Sequence, residues 1–121
     1  MNITDIDWRS SADSMPALIW VAGTDSLCVW FNKAWLEFTG KRMKQEVANG
    51  WAQGVHPDDL QRCITLYLDH FNKREHFLIE YRLRRRDGKY RTILDSGAPV
   101  FVDGEFLGYH GVCFDITDQN R

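Results

Sequence analysis

The sequence has no long hydrophobic run, no large excess of one charge and no secretion signal. Its longest apolar stretches, such as residues 17–22, are far shorter than the roughly 18 residues that a membrane span needs. The first ten residues, MNITDIDWRS, lack the basic start and apolar stretch of a signal peptide. With 15 Lys and Arg against 17 Asp and Glu, the net charge is only −2. We therefore expect a cytoplasmic protein that contacts neither membrane nor nucleic acid.

Cysteine is scarce and odd in number, since the chain has only Cys28, Cys63 and Cys113. The three cysteines have apolar neighbours and no CxxC spacing, which favours buried free thiols in a reducing cytosol over disulfides. The four histidines also lack the spacing of metal ligands. The sequence therefore predicts no metal site.

The motifs of common enzymes are missing as well: HExxH, GxSxG, the P-loop and GxGxxG do not occur. Asp58 and Asp59 are adjacent carboxylates, but they stand at a predicted helix start, where the helix dipole accounts for them. A basic cluster has no interleaved aromatic residues and is predicted to lie on a solvated strand face and hairpin tip. It comprises Arg82, Arg84, Arg85, Arg86, Lys89 and Arg91. We predict that the domain is not an enzyme.

The first half of the chain predicts a β-hairpin followed by helices. Residues 17–22 and 27–31 are apolar strands on either side of a polar turn. Asn32 is a suitable N-cap for a helix that ends at Gly40, and residues 41–55 indicate short helical turns. A longer helix begins at Pro57. Its apolar stripe is predicted to consist of Leu60, Ile64, Tyr67 and Phe71.

The second half changes to the two-residue period of strands. In residues 77–84, apolar side chains alternate with others, as in a half-buried strand. Asp87-Gly88 and Asp103-Gly104 are hairpin turns, and the strand between them is predicted to bend around Gly97 and Pro99. The order strand, strand, helices, strand, strand, strand predicts an α+β domain with helices on one face of an antiparallel sheet.

Four segments in this order resemble a PAS domain with its C-terminal PAC half. They are FNKAWLEFTG, VHPDDL, EYRLRRRDGKYR and the closing glycines with Asp-Ile-Thr. The resemblance covers residues 14–118 and implies a PAS-like fold, with a five-stranded antiparallel sheet and helices packed on one face. Thr92 departs from the pattern, because many relatives have tryptophan there.

The resemblance also implies a domain organisation and a role. Residues 1–13 are expected to be an N-terminal cap segment, residues 14–118 the sensor domain, and residues 119–121 the start of a linker to an effector domain. Asp115, Ile116 and Thr117 would form the signal exit from the last strand. The parent protein is expected to be a diguanylate cyclase or a sensor histidine kinase. The alternative is a complete chain in which Asp115 merely caps a strand end.

The family uses a cavity between sheet and helices, and positions carried over from it give candidate ligand-binding residues. They are Phe31, Trp35, Thr39, Tyr67, Phe71, Ile79, Tyr81 and Cys113. Large aromatic residues also fill cores without any ligand. Two functions therefore stay open: a sensor that binds a small ligand, or a ligand-free module for dimerisation and protein–protein interaction.

The resemblance also bears on cofactors. Flavin-binding photosensors of the family carry an NCRFLQ-type helix and a glutamine in the last strand. The first has no match here, and Cys113 occupies the position of the second, so flavin is not expected. Haem-binding relatives place a histidine within the long helix, whereas His70 is near its end and at the margin of the apolar stripe. Haem is therefore disfavoured, and the occupant is expected to be a small organic metabolite or none.

The tryptophans suggest a second surface. Trp30 must project from the opposite face of its strand to Phe31, and Trp20 is expected to share that outer face. Two exposed indoles need a cover. The segment that holds Trp8 could supply it, or a second subunit could, and we predict a homodimer that buries Trp20 or Trp30.

Overall fold

The computed structural model describes residues 8–119, which form one antiparallel sheet with helices. The helices are α1 (Arg9–Asp13), α2 (Lys33–Thr39), α3 (Met43–Glu46) and α4 (Pro57–Lys73), with 3₁₀ turns at Gly50–Gly54 and Thr117–Gln119. The strands are β1 (Leu18–Ala22), β2 (Cys28–Phe31), β3 (Phe77–Arg84), β4 (Tyr90–Val102) and β5 (Glu105–Asp115). Their order in the sheet is β2-β1-β5-β4-β3, and every neighbouring pair is antiparallel. The predicted α+β class and five-stranded sheet are confirmed.

The described residues do not include all of the predicted end segments. Of the expected cap, residues 8–13 form a short helical segment against the outer face, and residues 1–7 lie outside the described part. Of the expected linker start, Gln119 ends the last 3₁₀ turn, and residues 120 and 121 lie outside. Within residues 8–119, no helix has the length and apolar character to span a membrane.

Local sequence signals set the boundaries of the elements. The side chain of Asn32 accepts a hydrogen bond from the Trp35 amide at the start of α2, and Gly40 ends that helix at φ +72°. Helix α4 begins at Pro57, where the side chain of His56 accepts from the Asp58 amide. Such caps satisfy helix-end groups that have no partner within the helix.

Asn32 does more than the predicted capping. Its side chain is fully buried, and its Oδ1 also accepts from the Ile19 amide of β1 at 2.9 Å. Its Nδ2 donates to the carbonyls of Ala12 at 3.0 Å and Ala17 at 2.9 Å. One side-chain amide therefore joins α1, β1 and α2 through hydrogen bonds to four backbone groups.

The apolar side of α4 differs from the predicted stripe. Tyr67 and Phe71 are buried as expected, but Cys63 and Asp59 complete the buried row, and Ile64 is only half-buried. These four buried residues are spaced by four, which follows one side of the helix. The prediction was wrong for Ile64 because a polar residue, Asp59, occupies the start of that row.

Asp59 is buried because it covers the edge of the sheet. Its Oδ2 accepts from the backbone amide and Nε of Arg82 in β3, and its Oδ1 from Nη2, each at 2.9 Å. Arg62 donates to the Glu80 carbonyl of the same strand at 2.8 Å. These contacts cap groups of β3 that would otherwise be open to another strand. The helix dipole alone therefore does not account for Asp59.

The sheet separates two apolar clusters, and the position of Trp20 was predicted on the wrong side. Trp20 pairs with Phe31 of β2, and cross-strand partners project from the same face, here towards the helices. It also pairs with Gly111 of β5, where any Cβ would overlap the indole. The small residue at 111 thus makes room for Trp20 and not for a ligand.

The outer face carries the other cluster. It consists of Ala12, Ile19, Val21, Trp30 and Leu107. Trp30 pairs with Val21 and lies on this face, as predicted. The ring of Trp8 meets the Trp30 ring edge-on, with 4.7 Å between centroids. Trp30 is therefore already covered within the chain.

Candidate ligand cavity and signal exit

A small cavity lies between the sheet and helices α2 and α4. It measures about 30 Å³ as space open to the centre of a water molecule. That is room for about one or two waters. Its walls are Trp20, Cys28, Phe31, Trp35, Trp51, Cys63, Tyr67, Phe77, Ile79, Tyr81 and Asp95. The aromatic side chains thus fill most of the space that a larger ligand would need.

Five of the eight predicted ligand-binding residues line this cavity. They are Phe31, Trp35, Tyr67, Ile79 and Tyr81. The ring of Phe71 instead stacks on Tyr109, with 4.8 Å between centroids. Thr39, at the end of α2, lines an outer groove, so its prediction as a cavity residue was wrong. Cys113 is fully buried beside the cavity, with its Sγ 3.9 Å from the Tyr81 hydroxyl.

Asp95 is the one charged residue among the cavity walls within residues 8–119, and the sequence analysis did not predict it. Its Oδ1 accepts from the Trp20 indole at 2.9 Å, and its Oδ2 from the Tyr81 hydroxyl at 2.8 Å. Burial raises its pKa to about 6, although these hydrogen bonds favour the charged form. The signal was present in the sequence, because alternation from the buried Ile93 places Asp95 on the same face of β4.

Trp51 is the second wall residue that the sequence did not reveal. It belongs to the 3₁₀ turn Gly50–Gly54 and, among the described residues that line the cavity, it alone is not buried. Every other wall side chain has an exposed fraction of 8% or less. Trp51 is therefore the cover of the cavity on its solvent side. Residues 41–55 have no clear periodicity, which is why no role could be predicted for it.

A second buried carboxylate lies behind the cavity wall. Glu46 is 1% exposed, and its Oε2 accepts from the Trp35 indole at 2.8 Å. Burial raises the pKa of Glu46, against the opposing effects of the Trp35 hydrogen bond and Lys41. Two of the wall indoles are therefore each fixed by a buried acid.

The predicted signal exit forms a closed hydrogen-bonded turn. Oδ1 of Asp115 accepts from the Thr117 amide at 3.0 Å and its hydroxyl at 2.7 Å. Oδ2 of Asp115 accepts from Nε of Arg91 at 2.7 Å. Burial opposes the charge, but these donors outweigh it and lower the pKa of Asp115. The Thr117 hydroxyl also accepts from the Thr92 amide at 2.8 Å, which ties the exit to β4.

The cavity and the exit lie on the same two strands. Asp95 of β4 is the cross-strand partner of Cys113 in β5, and Ile93 is the partner of Asp115. The exit turn therefore begins two residues beyond the partner of the cavity carboxylate. One short stretch of paired backbone therefore connects Asp95 with Asp115.

The arrangement of sheet, helices and exit turn agrees with a sequence match over most of the chain. A family model described as the PAS fold matches residues 29–113. The chain belongs to the PAS family. The resemblance noted in the sequence is thereby confirmed, despite the threonine at position 92.

Two curated proteins and one solved structure illustrate the relationship. The uncharacterised protein y4lL of Sinorhizobium fredii is 38% identical over 115 residues, which make up 94% of this chain and 14% of that protein. The peroxide stress-activated histidine kinase mak3 of Schizosaccharomyces pombe is 28% identical over 120 residues, 98% of this chain and 5% of the kinase. The chain thus spans a small part of the length of either relative.

The solved structure is the N-terminal domain of a diguanylate cyclase with PAS/PAC sensor from Marinobacter aquaeolei. It superposes with a TM-score of 0.75 at 22% identity, covering 87% of this chain and 99% of that one. The chain therefore shares the PAS fold with the sensor domain of that diguanylate cyclase.

The cysteines of this PAS domain are not poised for chemistry. Cys28, Cys63 and Cys113 are all buried free thiols. Burial raises the pKa of each, to about 12 for Cys63, so all three stay protonated near neutral pH. Among residues 8–119, no cluster of His, Cys, Asp and Glu has the geometry to hold a metal ion. His70 stacks on Phe77 and is not a wall residue of the cavity.

Proposed function

We propose that this PAS domain is the regulatory sensor module of a larger signalling protein. It detects a small ligand in the cavity under Trp51 and transmits its presence through Asp115, Ile116 and Thr117. The effector that it controls is a diguanylate cyclase or a sensor histidine kinase. The names of two relatives support this class of effector, since each is one of these enzymes.

The observation that carries the proposal is the register between Asp95 and the exit. Asp95 is a cavity wall, its cross-strand partner is Cys113, and Asp115 follows two residues later. A ligand that accepts a hydrogen bond from Trp20 or Tyr81, or donates one to Asp95, alters the hydrogen bonding of Asp95. It therefore acts directly on β4 and on its paired strand β5. Such a differential contact is what a ligand needs to shift a conformational equilibrium.

The size of the cavity limits the ligand. About 30 Å³ admits a molecule of very few non-hydrogen atoms unless a wall moves. Trp51 is the wall best able to move, because it is partly exposed and belongs to a short 3₁₀ turn. We therefore infer that ligands enter past Trp51, and that a larger ligand displaces its indole.

The test combines native mass spectrometry with hydrogen exchange of the purified protein. Small molecules are added, retained mass is measured, and amide exchange of Ile116 and Thr117 is compared with and without ligand. We expect a mass increase that disappears on denaturation, together with a changed exchange rate at both amides. Asp115→Asn should uncouple the exchange change from binding, whereas Asp103→Asn, in the exposed turn between β4 and β5, should keep it. A ligand that binds without any change at the exit would contradict transmission.

The alternative function is a ligand-free module that acts in dimerisation, and the filled cavity favours it. Its surface would be the outer face of the sheet. There, Phe114 of β5 is 50% exposed and Leu78 of β3 is 63% exposed. Both lie beyond the area that Trp8 and α1 cover. A homodimer that buries them would also place two exit turns near each other.

Sedimentation of the protein at increasing concentration tests this alternative. We expect a dimer that Phe114→Glu dissociates. Phe101→Glu is the matched control, because Phe101 is 51% exposed but lies at the far end of the β4–β5 hairpin. A monomer at all concentrations, or equal effects of the two variants, would count against dimerisation through this face.

A further inference from the structure

The cavity walls have an unusual chemical composition for so small a space. Seven of its eleven wall residues are aromatic, and one is a carboxylate, Asp95. Within residues 8–119, no Lys, Arg or His side chain lines it. The negative faces of aromatic rings attract cations, and a carboxylate does so more strongly.

The electrostatic surroundings add to this preference. Glu46 lies behind the wall indole of Trp35. Burial is the main cause of the raised pKa of the wall residue Cys28, and the charges of Asp95 and Glu46 add to it. Two acidic groups, Asp95 and Glu46, therefore lie in or next to the cavity wall. No basic side chain among the described wall residues compensates their charge. A bound anion would meet this charge without a counter-ion, at a high desolvation cost.

We propose that the cavity binds a small organic ammonium ion, with its charge against Asp95 and its C–H groups against the surrounding rings. This inference rests on the proposed sensor function and specifies its ligand class. The carboxylate already accepts from Trp20 on one oxygen and from Tyr81 on the other, and the Cys113 thiol also donates to it. A carboxylate has about four lone-pair sites, so it can still accept one N–H.

The dimensions of the cavity select the size of the ion. Methylammonium has two non-hydrogen atoms and fits where about two waters would fit. More highly methylated ions require the Trp51 indole to swing outward. Such an aromatic cover is suited to them, since it adds one more ring face against the methyl groups.

We expect the Asp95 carboxyl to change its charge near neutral pH, whereas the side chains that face it stay neutral. They are Trp20 from β1, Cys28 from β2, Tyr81 from β3, Cys113 from β5, and Cys63 and Tyr67 from α4. Burial raises the pKa of every thiol and phenol among them, so they stay neutral. A cation binds the ionised carboxyl, and its affinity should fall as pH drops below about 6, the pKa of Asp95.

The experiment is a titration of the protein with methylammonium chloride, followed by the NMR signal of the Trp20 indole N–H. That proton is donated to Asp95 and reports directly on the proposed site. Methanol is the neutral control of equal size, sodium formate the small anion, and sodium chloride the salt control. We expect a saturable shift with methylammonium alone. Asp95→Asn should weaken binding by about tenfold or more, as expected for loss of a desolvated charge partner.

Asp103→Asn, which removes a carboxyl from an exposed turn, should leave the affinity unchanged. A second pair of variants distinguishes the attraction of an aromatic ring for the cation from simple packing. This comparison remains informative even if Asp95→Asn does not fold. Trp51→Phe keeps an aromatic face, whereas Trp51→Leu keeps only bulk. We expect Trp51→Leu to bind methylammonium several-fold more weakly than Trp51→Phe.

The outcomes distinguish a failure of this inference from a failure of the sensor proposal on which it rests. If methanol or formate shifts the Trp20 signal saturably and methylammonium does not, the ammonium class is overturned while ligand sensing stands. Equal affinities of Trp51→Leu and Trp51→Phe, or full affinity in Asp95→Asn, would also overturn it. If no small molecule of any charge binds, both proposals fail together.

Discussion

Trp20 donates its indole N–H to Oδ1 of Asp95 at 2.9 Å, although the two residues lie 75 positions apart in the chain. The bond joins β1 to β4 across the intervening strand β5, where Gly111 leaves room for the ring. It also fixes a carboxyl in the wall of a cavity. This single hydrogen bond therefore links a core tryptophan to the titratable carboxyl of the candidate ligand site.

Replacing Asp95 should change how stability depends on pH. The folded pKa is about 6, above the value of about 4 for an unfolded aspartate. A raised folded pKa gives stability that is complete below about pH 4 and is lost as pH rises through 6. At about 1.36 kcal/mol for each pKa unit, the loss is up to about 3 kcal/mol. The Asp95→Asn variant should not show this loss of stability between pH 4 and pH 8.

Urea denaturation at pH 4 to 8 measures this effect as the difference in unfolding free energy between the two proteins. Asp103→Asn, at an exposed turn, controls for removal of a carboxyl elsewhere. A constant difference between wild type and Asp95→Asn over the whole pH range would contradict the prediction.

Asp59 should stabilise the protein through the edge of β3. Asp59→Asn loses charged hydrogen bonds to Arg82 and should cost about 1–2 kcal/mol, since the Arg82 side chain is 42% exposed and partly screened. The hydrogen bonds from Arg82 hold the pKa of Asp59 well below its usual range. Its contribution is therefore present above about pH 4 and is lost as pH falls further.

Asp58→Asn is the matched control for Asp59, because Asp58 is the neighbouring residue and its side chain is 79% exposed. Thermal unfolding at pH 7 and at pH 3 compares the two variants. Equal losses for both at pH 7 would mean that the helix dipole, which both residues share, is the main effect.

Asn32 should be among the most sensitive polar positions. Asn32→Ala leaves the buried amides of Ile19 and Trp35 without a partner and removes a donor from the carbonyls of Ala12 and Ala17, so we expect a loss of about 3 kcal/mol or more. Asn32→Asp keeps the acceptor but cannot donate, so at neutral pH it should be destabilised as well. Denaturant unfolding measures both. Asn72→Ala, at an exposed position of α4, should change stability little.

Thr117 should hold the exit turn without contributing much to global stability. Thr117→Val keeps the shape but removes the hydroxyl that bonds Asp115 and the Thr92 amide. We expect faster hydrogen exchange at the Thr92 amide and a global loss of about 1 kcal/mol. Thr65→Val, on the exposed side of α4, is the control. Unchanged exchange at Thr92 would show that the turn is held by the backbone alone.

Local patterns in the sequence were enough for the order of elements and for most of their boundaries. Alternation identified the buried side of β3, and Asn32, Gly40 and Pro57 set the helix ends as predicted. These features depend on neighbours a few residues apart, so a single sequence contains them. The same reasoning failed for α4, where Asp59 occupies a buried position that periodicity assigns to an apolar residue.

The face of Trp20 and the role of Asp95 were decided by pairing between distant strands. The sequence by itself determined the α+β domain, the family resemblance, and the aromatic residues Phe31, Trp35, Tyr67 and Tyr81 that line the cavity. It could not determine that Gly111 lies beneath Trp20, because register joins residues far apart in the chain. Tertiary structure alone brought Asp95 among those rings, and the low polarity there is what raises its pKa.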